Sequence, residues 1–252
     1  MTDRAYFISD LHLGSSTEPN SLVLIKFLGS FHGLDQITHL FLLGDIFDLW
    51  IANHDYFKKK YAPIVNELIR LRNIGVKIHY FEGNHDLYLE HFFGHELGFK
   101  IYRKADNFLI LGYRVRVEHG DQMNPYDYGY RFLRWFLRTY LMEWLAPRLP
   151  EWCVVWLGQR MSKVSRRYTS KMKAISEENT QKVIHKHAKR VWRKNPFDIM
   201  VSGHMHMLFD TKLLVGEETV GEIARVVNLG AWFDRARVFT ITSGLIGFRD
   251  LN

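Results

Sequence analysis

The stretch His39-Leu40-Phe41-Leu42-Leu43-Gly44-Asp45-Ile46-Phe47-Asp48 changes character in the middle. An apolar run short enough for a buried strand ends at a glycine, and carboxylates follow immediately. The same change recurs on both sides of it. Ala5–Ser9 runs into Asp10-Leu11-His12, and Val76–Phe81 runs into Gly83-Asn84-His85-Asp86. Arg114–Glu118 runs into His119-Gly120-Asp121, and Asp198–Ser202 into Gly203-His204-Met205-His206. Two further apolar runs, Ala224–Leu229 and Arg237–Thr242, lack such endings. Between the first three runs lie helical patterns: Ser21–Phe31, and Tyr61–Asn73 with Ile64, Leu68 and Leu71 on one face and Gly75 as a stop. A β-α-β-α-β order predicts a mostly parallel sheet whose functional groups sit on loops after the strands. The later strands, with less helix between them, predict a second, more antiparallel sheet.

With 252 residues, 47% of them hydrophobic and 24% charged, the chain suits one large domain or one domain with an insert. The single cysteine, Cys153, excludes an internal disulfide and fits a reducing compartment. Asp3 and Arg4 stand where a signal peptide would carry its apolar run, and no apolar stretch approaches the ~20 residues of a membrane span, so a cytoplasmic protein is expected. The net charge of +7 is unevenly placed. Residues 125–195 hold sixteen Lys and Arg against five Asp and Glu, and the remainder is slightly acidic. There the texture turns to long helical patterns, Tyr130–Trp144, Trp152–Lys173 and Glu177–Lys194. The expected organisation is an α/β core from residues 1–124 and 196–252, carrying a basic helical cap at 125–195.

Carboxylates, imidazoles and one amide oxygen at five strand ends are hard or borderline metal ligands, suited to Mn, Fe, Zn or Mg. The i, i+2 pairs Asp10/His12 and His204/His206 would point to one side in extended geometry and reach one metal or two neighbours. Taken singly, each piece is ordinary: Gly-Asp and His-Gly-Asp are common turn chemistry, and Asp-x-His is mostly coincidence. Five in order, each directly after a strand, are not.

These blocks resemble the calcineurin-like metallophosphoesterase superfamily, whose pattern is Asp-x-His, Gly-Asp-x-x-Asp, Gly-Asn-His-Asp/Glu, His and Gly-His-x-His. The resemblance implies a four-layer αββα sandwich. It implies one metal held by Asp10, His12 and His206, a second by Asn84, His119 and His204, and Asp45 bridging the two. The implied chemistry is phosphoester hydrolysis by hydroxide generated between two divalent ions. His85 would stand over the metals to stabilise the transition state or protonate the leaving oxygen, oriented by Asp48.

Within the superfamily, the length, the run Gly44–Ile51, His119-Gly120-Asp121 and the inserted helices are similar to the UDP-2,3-diacylglucosamine pyrophosphatases of lipid A synthesis. That implies release of UMP and lipid X, Mn2+ as the metal, and work at the cytoplasmic face of the inner membrane. Tyr168-Thr169-Ser170-Lys171 loosely resembles the cap's substrate-binding segment, which makes Lys171, Arg166 and Arg167 candidate substrate contacts. Asp121 is open to two roles, holding a ligand histidine or meeting substrate. One departure stands out: those pyrophosphatases usually carry Arg after the ligand Asn, and this chain has His85, the form of the wider superfamily. A paralogue acting on another phosphodiester or pyrophosphate therefore stays open.

In the cap, Trp135, Phe136, Leu141, Trp144, Trp152 and Trp156 interleave with Arg131, Arg134, Arg138, Arg148 and Arg160. Such helices suit an acyl-chain groove or transient contact with an anionic membrane surface. They suit equally a hairpin packing its apolar face on the core. A nucleic-acid platform is disfavoured, because the chain outside the cap is acidic.

Overall fold

The computed structural model describes residues 2–156, 160, 177–215, 221–233 and 235–251. Among the described residues thirteen strands alternate with helices: β1 (Ala5–Ile8), β2 (His39–Leu42), β3 (Trp50–Ile51), β4 (Lys77–Phe81), β5 (Asp86–Leu87), β6 (Lys100–Tyr102), β7 (Asp106–Ile110), β8 (Tyr113–Glu118), β9 (Ile199–Ser202), β10 (Leu208–Leu214), β11 (Ile223–Leu229), β12 (Arg237–Ile241) and β13 (Ile246–Asp250). The helices are α1 (Pro19–Gly29), α2 (Asp55–Lys60), α3 (Ala62–Asn73), α4 (Tyr128–Leu137), α5 (Tyr140–Leu145) and α6 (Glu177–Trp192).

Two sheets stack. The first has the order β13-β12-β1-β2-β4-β6 and the second β10-β11-β9-β8-β7, while β3 and β5 pair by themselves. In the first, β1, β2, β4 and β6 run parallel, as the βαβ reading predicts, and β12 and β13 add an antiparallel edge. The second is less antiparallel than expected. Its centre, β8-β9-β11, is parallel, and antiparallel strands occur only at its edges. Alternation along the strands sorts the core into layers. Phe7, Phe41 and Phe81 of the first sheet meet Val115, Val117, Val201 and Val227 of the second. On the outer face of the first sheet, Tyr6, Leu40, Leu42 and Ile78 pack on Leu24 and Leu28 of α1 and Ile64 and Leu68 of α3. On the outer face of the second, Met200 and Val226 pack on Ile184 and Ala188 of α6. The result is the expected four-layer αββα sandwich. α6, grouped with the insertion by its charge, supplies the fourth layer.

Strands without an apolar run escaped the sequence reading. β3 and β5 have two residues each, and β10 at a sheet edge alternates exposed with half-buried positions. The helical pattern Tyr130–Trp144 is broken in two. Thr139 is extended and accepts from the Met142 amide, capping a new helix. The pattern Trp152–Lys173 lies mostly outside the described residues, of which 151–156 are helical.

α4 and α5 bury none of their residues. Phe132, Trp135, Tyr140 and Leu141 face outward, each more than 60% exposed. The polar face turns inward. Arg134 Nε meets Asp121 at 2.9 Å, Arg138 meets Glu82 at 2.5 Å, and Arg103 of the core meets Glu143 of α5. A hairpin seated on the core by its apolar face is therefore not what forms, apart from a small contact of Leu137, Met142 and Ala146 with Ala52 and Leu87.

Phe41 carries much of the inter-sheet layer, stacked on Phe7 at 4.5 Å and on His79 at 4.4 Å between ring centres. Phe41→Ala should cost about 3–5 kcal/mol in denaturant unfolding, the range for a fully buried phenylalanine. A loss below about 1 kcal/mol would show that the layer closes up around the gap.

Candidate metal centre

β1, β2 and β4 of the first sheet and β8 and β9 of the second end side by side, so five loops meet at one edge of the sandwich. The ligand-bearing loops thus come from two sheets rather than one. Two glycines permit the approach. A methyl on Gly44, whose φ is +85°, would lie 2.5 Å from His119 Nδ1, and one on Gly83 would collide with the Asp45 carboxylate.

Asp10/His12 and His204/His206 do not take the extended geometry expected of them. Asp10, His12, Asp45, His204 and His206 all have φ between 48° and 65°, in the left-handed region. Each lies beyond its strand, and an extended continuation would carry its side chain away from the neighbouring loops. The left-handed turn folds the chain back, and the loops then pair: Asp10 N donates to Gly44 O at 3.2 Å and His12 N to Asp45 O at 3.0 Å. Non-glycine residues bear a strain of roughly 1–2 kcal/mol each there, which is common where function dictates geometry.

The side chains form two half-sites. In one, His12 Nε2 and His206 Nε2 are 3.2 Å apart, and His206 Nε2 is 3.2 Å from Asp10 Oδ1. In the other, His119 Nε2 is 3.3 Å from Asn84 Oδ1, and the His119 and His204 rings lie 5.0 Å apart. Asp45 Oδ2 faces both, 3.9 Å from His12 Nε2 and 3.7 Å from His119 Nε2. Ligands bound about 2.0–2.2 Å from one ion stand roughly 3–3.5 Å from each other, so both spacings fit a cation. Asp10, His12 and His206 form one compact donor group, and Asp45, His119 and His204 another.

Hydrogen bonding leaves the right atoms for a metal. Asp10 Oδ2 accepts from Ser9 Oγ at 2.5 Å and His204 N at 2.8 Å, while Oδ1 is buried with no hydrogen bond among the described residues. Asp45 Oδ1 accepts from the amides of Asn84 and His85, which turns Oδ2 toward the half-sites. His119 Nδ1 donates to Leu43 O at 2.6 Å, so Nε2 keeps its lone pair for the cluster. Burial pushes His12 and His204 down to about 4, keeping both neutral near pH 7. Burial alone would raise Asp45, but the surrounding imidazoles, His119 foremost, hold it well below the usual carboxylate range. Burial also opposes charge on His119 and His206, yet Asp45 and Asp10 outweigh it and raise both. These residues fit a pair of divalent ions.

His85 is buried at the edge of this cluster, its ring edge-on to His12 at 4.7 Å. Its Nδ1 donates to the main-chain oxygen of Asp48 at 2.9 Å. Asp121 lies beside His119 and contacts the cap. Its Oδ2 accepts from Tyr130 Oη at 2.8 Å and pairs with Arg134, tying the cap to the core beside His119. Lys171, Arg166 and Arg167 lie outside the described residues.

Some supporting residues were not foreseen. Buried Asp86 accepts from the amides of Asp45, Ile46 and Gly83 and from Tyr80 Oη, so one carboxylate fastens two ligand loops. Burial, reinforced by the charge of Asp45, raises its carboxyl to about 6. Asn228 Nδ2 donates to Gly203 O at 2.6 Å and steadies the His204 loop. Phe233 stacks on His12 at 5.4 Å and meets His206 edge-on. The signal for Asp86 was its position in the third block; no spacing marked Phe233.

Asp86→Ala leaves three buried amides without an acceptor. The expected loss is at least about 3 kcal/mol in denaturant unfolding. Calorimetric titration of the folded variant with Mn2+ should show affinity lower by about 10–100-fold, and unchanged affinity would count against a role in placing the ligands.

The model of the calcineurin-like phosphoesterase family matches residues 4–208. Among curated proteins, the UDP-2,3-diacylglucosamine hydrolase of Aeromonas salmonicida (strain A449) is 30% identical over 247 residues, covering 94% of this chain and 89% of the relative. That of Porphyromonas gingivalis (strain ATCC BAA-308 / W83) is 28% identical over 252 residues, covering 92% and 91%. That of Photorhabdus laumondii subsp. laumondii is 30% identical over 242 residues, covering 94% of each. Sequence blocks, sandwich and converging loops agree with that family match, and the chain belongs to the calcineurin-like phosphoesterase family.

Proposed function

We propose that this chain hydrolyses the pyrophosphate of UDP-2,3-diacylglucosamine, releasing UMP and lipid X. The observation that carries the reaction is the convergence of Asp10, His12, Asn84, His119, His204 and His206 on two half-sites that share Asp45. The substrate rests on the relatives named above, matched along nearly the whole of both chains. The metal is proposed to be Mn2+, with Fe, Zn or Mg compatible with the same oxygen and imidazole donors. When bound, two such ions lower the pKa of water and neutralise charge growing on the phosphoryl oxygens.

The chain's own residues do the rest. Asp45 holds the half-sites at one spacing, its other oxygen locked by two amides. His85 is held with Nδ1 as the hydrogen-bond donor, because a carbonyl oxygen can only accept. So held, it stabilises the departing phosphate oxygen or protonates it. Asp48 acts on His85 through the main chain. The cap supports an acylated substrate at a membrane surface: Trp135, Trp152 and Trp156 stand exposed, with Arg148 and Arg160 over the rings of Trp144 and Trp156. Among the described residues no helix is long and apolar enough to cross a membrane, so contact would be peripheral. A second reading, a different nucleotide or lipid phosphodiester as substrate, is favoured by His85.

Metal-loaded protein, assayed on UDP-2,3-diacylglucosamine in detergent micelles with a chelator control, should release UMP only when metal is present. His85→Ala should lower kcat about 10²–10⁴-fold with its metal content unchanged. An intact lipid substrate alongside cleavage of an aryl phosphodiester would give the second reading the advantage. Replacing Trp135 and Trp156 with Ala should raise KM for the acylated substrate and spare a small diester; equal loss on both would contradict a lipid-binding cap.

A further inference from the structure

A cavity of about 480 Å³ opens beside His119, between the ends of β4, β6 and β8, the first turns of α4 and the C-terminal half of α6. Its volume is in the range of small-ligand sites. Unlike the cap's outer surface, it is lined mostly by polar residues, with seven Lys and Arg against three carboxylates. All three carboxylates are already engaged. Glu82 is held by Arg138, and Asp121 by Arg134 and Tyr130. Glu118 is held by Arg116 and His187. Arg190 Nη2 donates to His187 Nδ1 at 2.8 Å, so His187 in turn donates a hydrogen bond from Nε2 to Glu118.

Positive charge is left over. Among the described residues, no hydrogen bond or ion pair holds the side chains of Lys104, Arg131 or Lys194, and Nη1 of Arg134 is buried without a partner. Among the described residues Lys104, Arg131 and Lys194 thus border a hollow that touches a metal ligand with no anion of their own, and Arg134, already paired with Asp121 through Nε, keeps a buried Nη1 without a partner. α4 separates two surfaces: Arg131 and Arg134 border the cavity, while Phe132 and Trp135 face outward. A pyrophosphate that joins a lipid to a nucleoside has a hydrophobic half and a polar anionic half. With its phosphorus at the ions, the acyl half matches the aromatic face and the nucleotide half matches the cavity.

We propose that this cavity is the site of the nucleoside monophosphate half of the substrate, with Arg131, Arg134 and Lys194 as its phosphate and ribose contacts. The assignment rests on the pyrophosphatase reading above for the identity of the nucleotide, and on the cavity's own charge for the site.

The test compares UMP with inorganic phosphate, which is small enough to bind at the ions alone, by calorimetry on Mn-loaded full-length protein. Wild type should bind UMP at least about tenfold more tightly than phosphate, and Arg131→Glu with Lys194→Glu should erase that advantage without lowering metal content. The milder Arg131→Ala and Lys194→Ala variants, both at exposed positions, should each weaken UMP binding while the melting temperature holds. Equal affinity for UMP and phosphate in wild type, or an advantage that survives charge reversal, would overturn the proposal. Hydrolysis separates the two readings. If wild type prefers UMP yet leaves UDP-2,3-diacylglucosamine intact, the substrate reading fails and the cavity assignment stands. If it cleaves that lipid and the double variant keeps the wild-type KM, the cavity assignment fails alone.

Discussion

A carboxylate as deeply buried as that of Asp45, 1% exposed, is costly unless positive charge or donors surround it. Here one oxygen takes two amides and the other faces imidazoles on two sides. Four of those imidazoles point their ring nitrogens inward, so the arrangement concentrates lone pairs as well as negative charge. Only cations satisfy both. The left-handed turns, the glycines that let loops touch and the carboxylate of Asp86 all serve to hold that geometry. Their strain is tolerable because each loop hydrogen-bonds its neighbour rather than solvent.

The cap follows an inverted rule. A surface helix ordinarily buries its apolar stripe and exposes its charges. α4 instead turns Arg134, with Arg138 at its C-terminal end, to core carboxylates, α5 turns Glu143 to Arg103 of the core, and both present aromatic rings outward. The polar inner face also places Tyr130, through Asp121, beside the candidate ligand His204. Cap placement and metal-site geometry are therefore coupled through one buried carboxylate.

Much of this was legible in the sequence because parallel strands end where the polarity changes. The breaks after Ile8, Leu42, Phe81, Glu118 and Ser202 located both the strands and the candidate ligands. What escaped depends on tertiary geometry. The left-handed backbone at Asp10 and His204 arises from pairing between loops distant in sequence, which an i, i+2 spacing does not encode. For Asp121 the sequence left two roles open, holding a ligand histidine or meeting substrate. Its partners, Tyr130 and Arg134, come from a helix whose inward face only the folded chain reveals. Edge strands such as β10 lack the apolar run that marks a buried strand, and the αββα division depends on which face of each strand meets which helix.

The central claim, that Asp45 is shared by two metal ions, is tested most directly by anomalous diffraction from crystals of the Mn-loaded protein. The account predicts two peaks roughly 3.5–4 Å apart, one on either side of Asp45 Oδ2. One would be bound by Asp10, His12 and His206, and the other by Asn84, His119 and His204. A single peak, or a pair not bridged by Asp45, would contradict it.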